Sequence, residues 1–145
     1  MKTAPPRPRR LKDYRPPAYL VDHVDLDVAL DPDTTRVKAQ LKIRRNPAAE
    51  KGAAALVLDG EHLVLDAIAL DGKALPERVY DLTETKLVIH KVPARPFTLS
   101  LETTINPEAN KALQGLYRSR GVFCTQCEAE GFRRIMFFPD RPDVL

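Results

Sequence analysis

The chain has 145 residues, with 23 Lys+Arg against 20 Asp+Glu and a formal net charge of +3. Leu, Ile, Val and Phe make up about 27% of it, above the roughly 20% below which chains tend to stay disordered, so a packed domain is expected. No apolar run reaches the ~18 residues of a membrane helix, and the start lacks the apolar segment of a secretory signal, which predicts a cytoplasmic protein without a membrane partner.

The charge is unevenly placed. Residues 1–15 (MKTAPPRPRRLKDYR) hold six basic groups and one acid, and the remainder is slightly acidic. Phosphate binding needs basic side chains clustered on a folded face, so nucleic acid is not expected as a partner. Pro5, Pro6 and Pro8 interleave with Arg7, Arg9 and Arg10, a composition that sustains neither helix nor strand, and 1–15 is read as a flexible arm preceding a β-rich domain over 16–145.

From Leu20 a two-residue period begins. Leu20, Val24, Leu26, Val28 and Leu30 alternate with His23, Asp25 and Asp27, which predicts a half-buried strand. Asp31-Pro32-Asp33-Thr34 supplies a turn, and Val37, Ala39, Leu41 and Ile43 then alternate with Lys38, Gln40, Lys42 and Arg44 to complete a hairpin. Further strands are expected over 56–58, 63–70, 79–82, 86–89 and 97–105, with Asp71-Gly72 as a tight turn into 73–75. Pro107 to Leu113 reads as a short helical turn. A last hairpin joins 115–117 to 122–125 through Ser119-Arg120-Gly121. Turn signals every 8 to 15 residues without a helical period predict an all-β, antiparallel β-sandwich. Phe137-Phe138-Pro139 near the end suggests an exposed apolar patch or a missing continuation.

Few residues carry recognisable chemistry. His23, His62 and His90 stand in no H-E-x-x-H context, and no nucleophile elbow, phosphate loop or dinucleotide fingerprint occurs. Cys124-x-x-Cys127 has metal-ligand spacing but no second pair, so structural, redox and metal roles all stay open. Two cysteines are too few and too close to staple a secreted scaffold. The unusual segment is Cys124-Thr125-Gln126-Cys127-Glu128-Ala129-Glu130-Gly131-Phe132-Arg133-Arg134. Carboxylates in an apolar loop suit capture of an ammonium through charge-assisted hydrogen bonds, and equally suit an ordinary solvated acidic loop.

This segment resembles the N-terminal domain of the aminopeptidase N family, zinc-dependent exopeptidases of the gluzincin type. Thr125-Gln126-x-Glu128, Arg133-Arg134 and Asp140-x-Pro142 follow the family's T-Q-x-E…R-R…D-x-P pattern, and CTQCEAEGFRR with DRPDVL is similar to the bacterial cytosolic branch. Asp13 to Tyr19, Leu58 to Leu63, and Ile105-Asn106-Pro107 through Gly115-Leu116-Tyr117 extend the resemblance over nearly the whole chain. It implies a saddle-like or sandwich β-domain that packs on a catalytic domain, here truncated at its C-terminal edge.

By that resemblance the zinc and its ligands lie outside these residues and the fragment is inactive alone. Gln126 and Glu128 would be substrate-binding, with Glu128 taking the α-ammonium of a peptide N-terminus. The family often has Pro after the motif's Glu, whereas Ala129 and Glu130 stand here, so Glu130 could share the charge. The alternatives are a non-enzymatic β-sandwich that binds proteins through an edge strand or the acidic loop, and a small dithiol protein built on Cys124 and Cys127.

Overall fold

A computed structural model describes residues 10–52 and 54–144, so residues 1–9 of the expected arm lie outside the described residues. The remainder of that stretch forms a 3-10 turn at Leu11–Asp13. The strands are β1 (Tyr19–Ala29), β2 (Thr35–Arg45), β3 (Leu56–Asp59), β4 (Val64–Leu70), β5 (Lys73–Ala74), β6 (Tyr80–Leu82), β7 (Lys86–Ile89), β8 (Phe97–Ile105), β9 (Gly115–Ser119) and β10 (Val122–Gln126). All pairings are antiparallel and make three sheets, ordered β1-β2-β8-β4-β5, β3-β7-β6 and β10-β9. The all-β architecture expected from the turn spacing is the one observed.

Alternation explains the core. On β2, Thr35, Val37, Ala39, Leu41 and Ile43 face inward and the residues between them face water. Opposite them on β8 stand Ile105, Thr103, Leu101, Leu99 and Phe97, so each cross-strand pair is buried on one face. Leu56 and Leu58 of β3 and Leu87 and Ile89 of β7 join the same apolar cluster from the second sheet. Burial on this scale is the main stabilising contribution, at roughly 25 cal/mol per Å² of apolar surface.

Two turns follow their chemistry. Asp71 and Gly72 both have positive φ (48° and 79°), as do Arg120 and Gly121 (51° and 83°), which is the geometry of two-residue hairpins that follow strand twist. The first turn is held by Asp71, whose carboxyl is kept below its ordinary range by the Thr98 N–H and then by Arg95.

Three expectations need correction. β1 carries a bulge between Val21 and His23, which inverts its parity: Leu20 lies opposite Arg44, while Val24, Leu26 and Val28 lie opposite the buried Leu41, Ala39 and Val37. Because β1 is the edge strand, Leu26 and Val28 stay 43% and 38% exposed. Pro107 to Leu113 is an irregular turn: Asn106 caps its start through the Ala109 N–H, but the Asn110 side chain then takes the Ala112 N–H and the Gln114 and Leu116 carbonyls, so the turn does not continue as a helix. Phe137 is not an exposed patch. It is 1% exposed, and Phe138 meets Phe132 edge-on at 5.1 Å.

Candidate functional site

The segment singled out by sequence begins where β10 ends. Gln126 is the last residue of β10 and pairs with Gly115, whose φ of +73° admits the chain at a point where a side chain would strike Arg134. Beyond it the chain turns back within five residues, closed by the Gly131 N–H donating to the Cys127 carbonyl at 2.9 Å. Glu130 takes a left-handed φ of 67°, and the Glu128–Ala129 peptide is cis. Gly131 is buried against the other limb: a methyl group there would lie 2.3 Å from the Gln126 carbonyl oxygen.

Gln126 and Glu128 are therefore held on one short, tightly packed turn. The Gln126 amide Nε2 donates to the Glu128 backbone carbonyl at 3.0 Å, and both side chains are exposed. The two acids differ in their surroundings. Glu130 lies 3.7 Å from the Arg133 guanidinium, whereas the Glu128 carboxylate has no cationic partner among the described residues. Glu128 is the acid left available to an incoming cation.

Behind the turn lies an ion-pair network built from the R-R and D-x-P residues and from partners on distant segments. Arg133 Nε meets Asp140 Oδ2 at 3.1 Å, Arg134 Nη2 meets Glu61 Oε2 at 3.2 Å, and Lys86 Nζ meets Asp59 Oδ1 at 2.8 Å. Burial opposes the charge on Arg133, but its hydrogen bond to Asp140 and the fields of Asp59, Glu130 and Asp140 prevail and raise its pKa. The i,i+3 spacing of Glu130 and Arg133 was the available sequence signal for part of this network. The pairing of Asp59 with Asp140 is a product of the fold.

A cavity of about 530 Å³ opens beside the network, lined among others by Tyr19, Asp59, Lys86, Glu130, Arg133 and Asp140. Gln126 and Glu128 do not line it; they stand on open surface. Cys124 and Cys127 are both free thiols, and burial with the nearby Asp140 pushes the Cys127 thiol above its ordinary pKa, which opposes thiolate chemistry. His23 on β1 and His90 just past the end of β7 are both exposed, each beside one carboxylate, Asp25 at 3.0 Å and Asp81 at 2.7 Å. Among the described residues no three His, Cys, Asp or Glu side chains converge as metal ligands, and no helix is long and apolar enough to cross a membrane.

The all-β frame, with the segment from Thr125 to Glu128 leading off β10 into a turn held by Arg133 and Asp140, is shared with one peptidase family. A family model described as the Peptidase M1 N-terminal domain matches residues 20–145, and the chain belongs to that family. Aminopeptidase N of Caulobacter vibrioides is 47% identical over 145 residues, which is 100% of this chain and 16% of that protein. Aminopeptidase N of Escherichia coli is 42% identical over 143 residues, or 99% of this chain and again 16% of the relative. The chain thus spans 16% of the length of these curated relatives. Among solved structures, Legionella pneumophila aminopeptidase A in complex with aspartic acid superposes with a TM-score of 0.84 at 36% identity, covering 93% of this chain and 16% of that one. An M1 zinc metallopeptidase from Deinococcus radiodurans bound to a Tyr-Ser-Ala substrate shares the fold at 19% identity, with a TM-score of 0.69 over 88% of this chain and 30% of that one.

Proposed function

We propose that this chain is the substrate-anchoring N-terminal domain of a zinc-dependent aminopeptidase that removes residues from the N-terminus of peptides in the cytoplasm. Glu128 binds the α-ammonium of the substrate and Gln126 hydrogen-bonds the same terminal residue. The observation that carries this is the contrast between the two acids of the turn: Glu130 is drawn to Arg133, and Glu128 is presented to the exterior without a cation of its own. Its likeness to the aminopeptidases named above supports the same reading.

An exopeptidase has to measure one residue from a free amine, and a fixed carboxylate does this, because a charge-assisted hydrogen bond to an ammonium is stronger than one to a blocked amide. The turn, braced by Gly131 and Arg133, fixes the backbone that carries that carboxylate without help from the substrate. The described residues hold no ligand set that fits zinc, so the metal is held by residues outside this chain, in a catalytic domain that covers the open face at Gln126 and Glu128. Zinc supplies an activated water in such enzymes. The part played by this chain is binding and orientation.

The experiment is alanyl-chromogen hydrolysis by the full-length product of the natural gene, with and without a chelator, beside its Glu128→Ala form. Stripping one member of a buried charge pair costs about 2 to 5 kcal/mol, which predicts a kcat/KM loss of roughly 30-fold to several thousand-fold. Chelator-sensitive cleavage that collapses without Glu128 is the expected result. Undiminished cleavage by Glu128→Ala would remove the anchor role.

A further inference from the structure

We infer that Arg133 is a positioning residue for Glu128: locked by Asp140, it fixes the course of the 126–131 turn so that one carboxylate meets the substrate amine. This rests on the anchor reading above and names the device that makes the anchor rigid.

The lock has three bonds. The Arg133 backbone N–H and its Nε both donate to Asp140 Oδ2 at 3.1 Å, and Nη2 donates to the Asp140 carbonyl at 2.9 Å. The two side chains are only 15% and 17% exposed, so water competes weakly for these charge-assisted bonds. Asp140 is in turn fixed to the sheets. Its N–H donates to Asp59 Oδ2 at 3.2 Å, and Asp59, at the end of β3, exchanges backbone hydrogen bonds with Phe138 at 2.8 and 3.0 Å. On the far side the Arg133 carbonyl accepts the Glu61 N–H at 2.9 Å.

This rigidity reaches the site by two routes. Sterically, Gly131 is packed so closely on the Gln126 carbonyl that a shift of the chain at Arg133 moves the other limb of the turn. Electrostatically, Nη2 lies 3.7 Å from Glu130 Oε1, which draws the second acid of the turn away from the role of Glu128. A residue that acts chiefly through Glu128 has a distinct signature: its loss costs much less once Glu128 is gone. A residue that merely supports the fold lowers activity equally in both backgrounds.

The test is a double-mutant cycle in the full-length enzyme, read as kcat/KM on an alanyl chromogen for wild type, Glu128→Gln, Arg133→Lys and the double variant. Lysine keeps the charge but lacks the planar fork that grips Asp140. Misplacing a binding group by about an ångström predicts a loss of about tenfold or more for Arg133→Lys alone, and a clearly smaller loss, confined to what Gln126 still contributes, when it is added to Glu128→Gln. Should Arg133→Lys fail to fold, Asp140→Asn runs the same cycle from the other side of the bond. A loss of equal size in both backgrounds, or no loss from either variant while Glu128→Gln is crippled, overturns the positioning role and leaves the anchor standing. Full activity in Glu128→Gln overturns the anchor, and the positioning role falls with it.

Discussion

Phe137 lies directly against Gly60: a methyl group built on Gly60 would sit 2.3 Å from both Cδ1 and Cε1 of the ring. The ring is fully buried and therefore has nowhere to retreat. Gly60→Ala is expected to destabilise the chain by about 1 to 3 kcal/mol through overpacking, and Phe137→Ala by about 3 to 5 kcal/mol through the cavity left behind. Because both act on one contact, adding Phe137→Leu to Gly60→Ala should recover part of the first loss. Urea denaturation of wild type, Gly60→Ala, Phe137→Leu and the double variant checks this, and strictly additive losses would show that the contact does not couple them.

The same contact shows where sequence reading stops. The alternation of Val37 to Ile43 and of Phe97 to Ile105 was legible because both faces of a two-residue period are written in adjacent letters. In β1 the period identified the inward face beyond the bulge, but not that an edge strand leaves it partly uncovered, since alternation records orientation and not what lies above. The burial of Phe137 is not written in its own segment, because the contact that fills its site is Gly60, 77 positions away. Gln126 and Glu128 were legible through the motif they belong to. The separation of Glu128 from Glu130 was not, since it depends on where the Arg133 side chain points after Asp140 has seized it.

Gln126 should matter less than Glu128. Its amide makes a 3.0 Å hydrogen bond to the Glu128 carbonyl, which steadies the turn, and in the proposed role it adds one hydrogen bond to the substrate terminus. A hydrogen bond involving a charged group contributes about 1.5 to 3 kcal/mol, so Gln126→Ala is expected to lower kcat/KM of the full-length enzyme by roughly ten- to a hundredfold. Steady-state kinetics on an alanyl chromogen measure this. A loss larger than that of Glu128→Ala would reverse the assignment of the principal anchor.

Cys127 offers a check on the electrostatics of the turn. Burial and then Asp140 raise its pKa above 9.0, so the thiolate is scarce at neutral pH although the residue is exposed. With Cys124→Ser to isolate it, iodoacetamide alkylation is expected to be slow at pH 7 and to keep accelerating beyond pH 9. Removing the acid with Asp140→Asn should bring the midpoint down. An alkylation midpoint below 8.5 would mean that the turn stabilises a thiolate, and would favour the redox reading of the Cys124-x-x-Cys127 pair.

Asp143 ties the first described residues to the last, and it makes that tie sensitive to acid. Arg141 reaches its two carboxylate oxygens from Nε and Nη2 at 2.8 and 2.7 Å, the Tyr14 hydroxyl donates at 2.9 Å, and Arg141 Nη2 also donates to the Arg15 carbonyl at 2.8 Å. The Arg141 hydrogen bonds lower the carboxyl from 3.8 to about 2, against partial burial and with help from Tyr14. A depressed folded value means that the contribution is present above about pH 4 and is lost as pH falls from there through about 2. Tyr14 has the opposite sign: its hydrogen bond to Asp143 raises the phenol above 10.0, so its contribution persists below that pH and is lost as pH climbs through the folded value. An NMR titration following the Asp143 carboxyl carbon and the Tyr14 ring should therefore show both change together well below pH 4. In Asp143→Asn the Tyr14 acid transition should vanish and its alkaline midpoint should fall toward 10. An Asp143 midpoint near 4, with Tyr14 unresponsive, would show that the tie does not hold in solution.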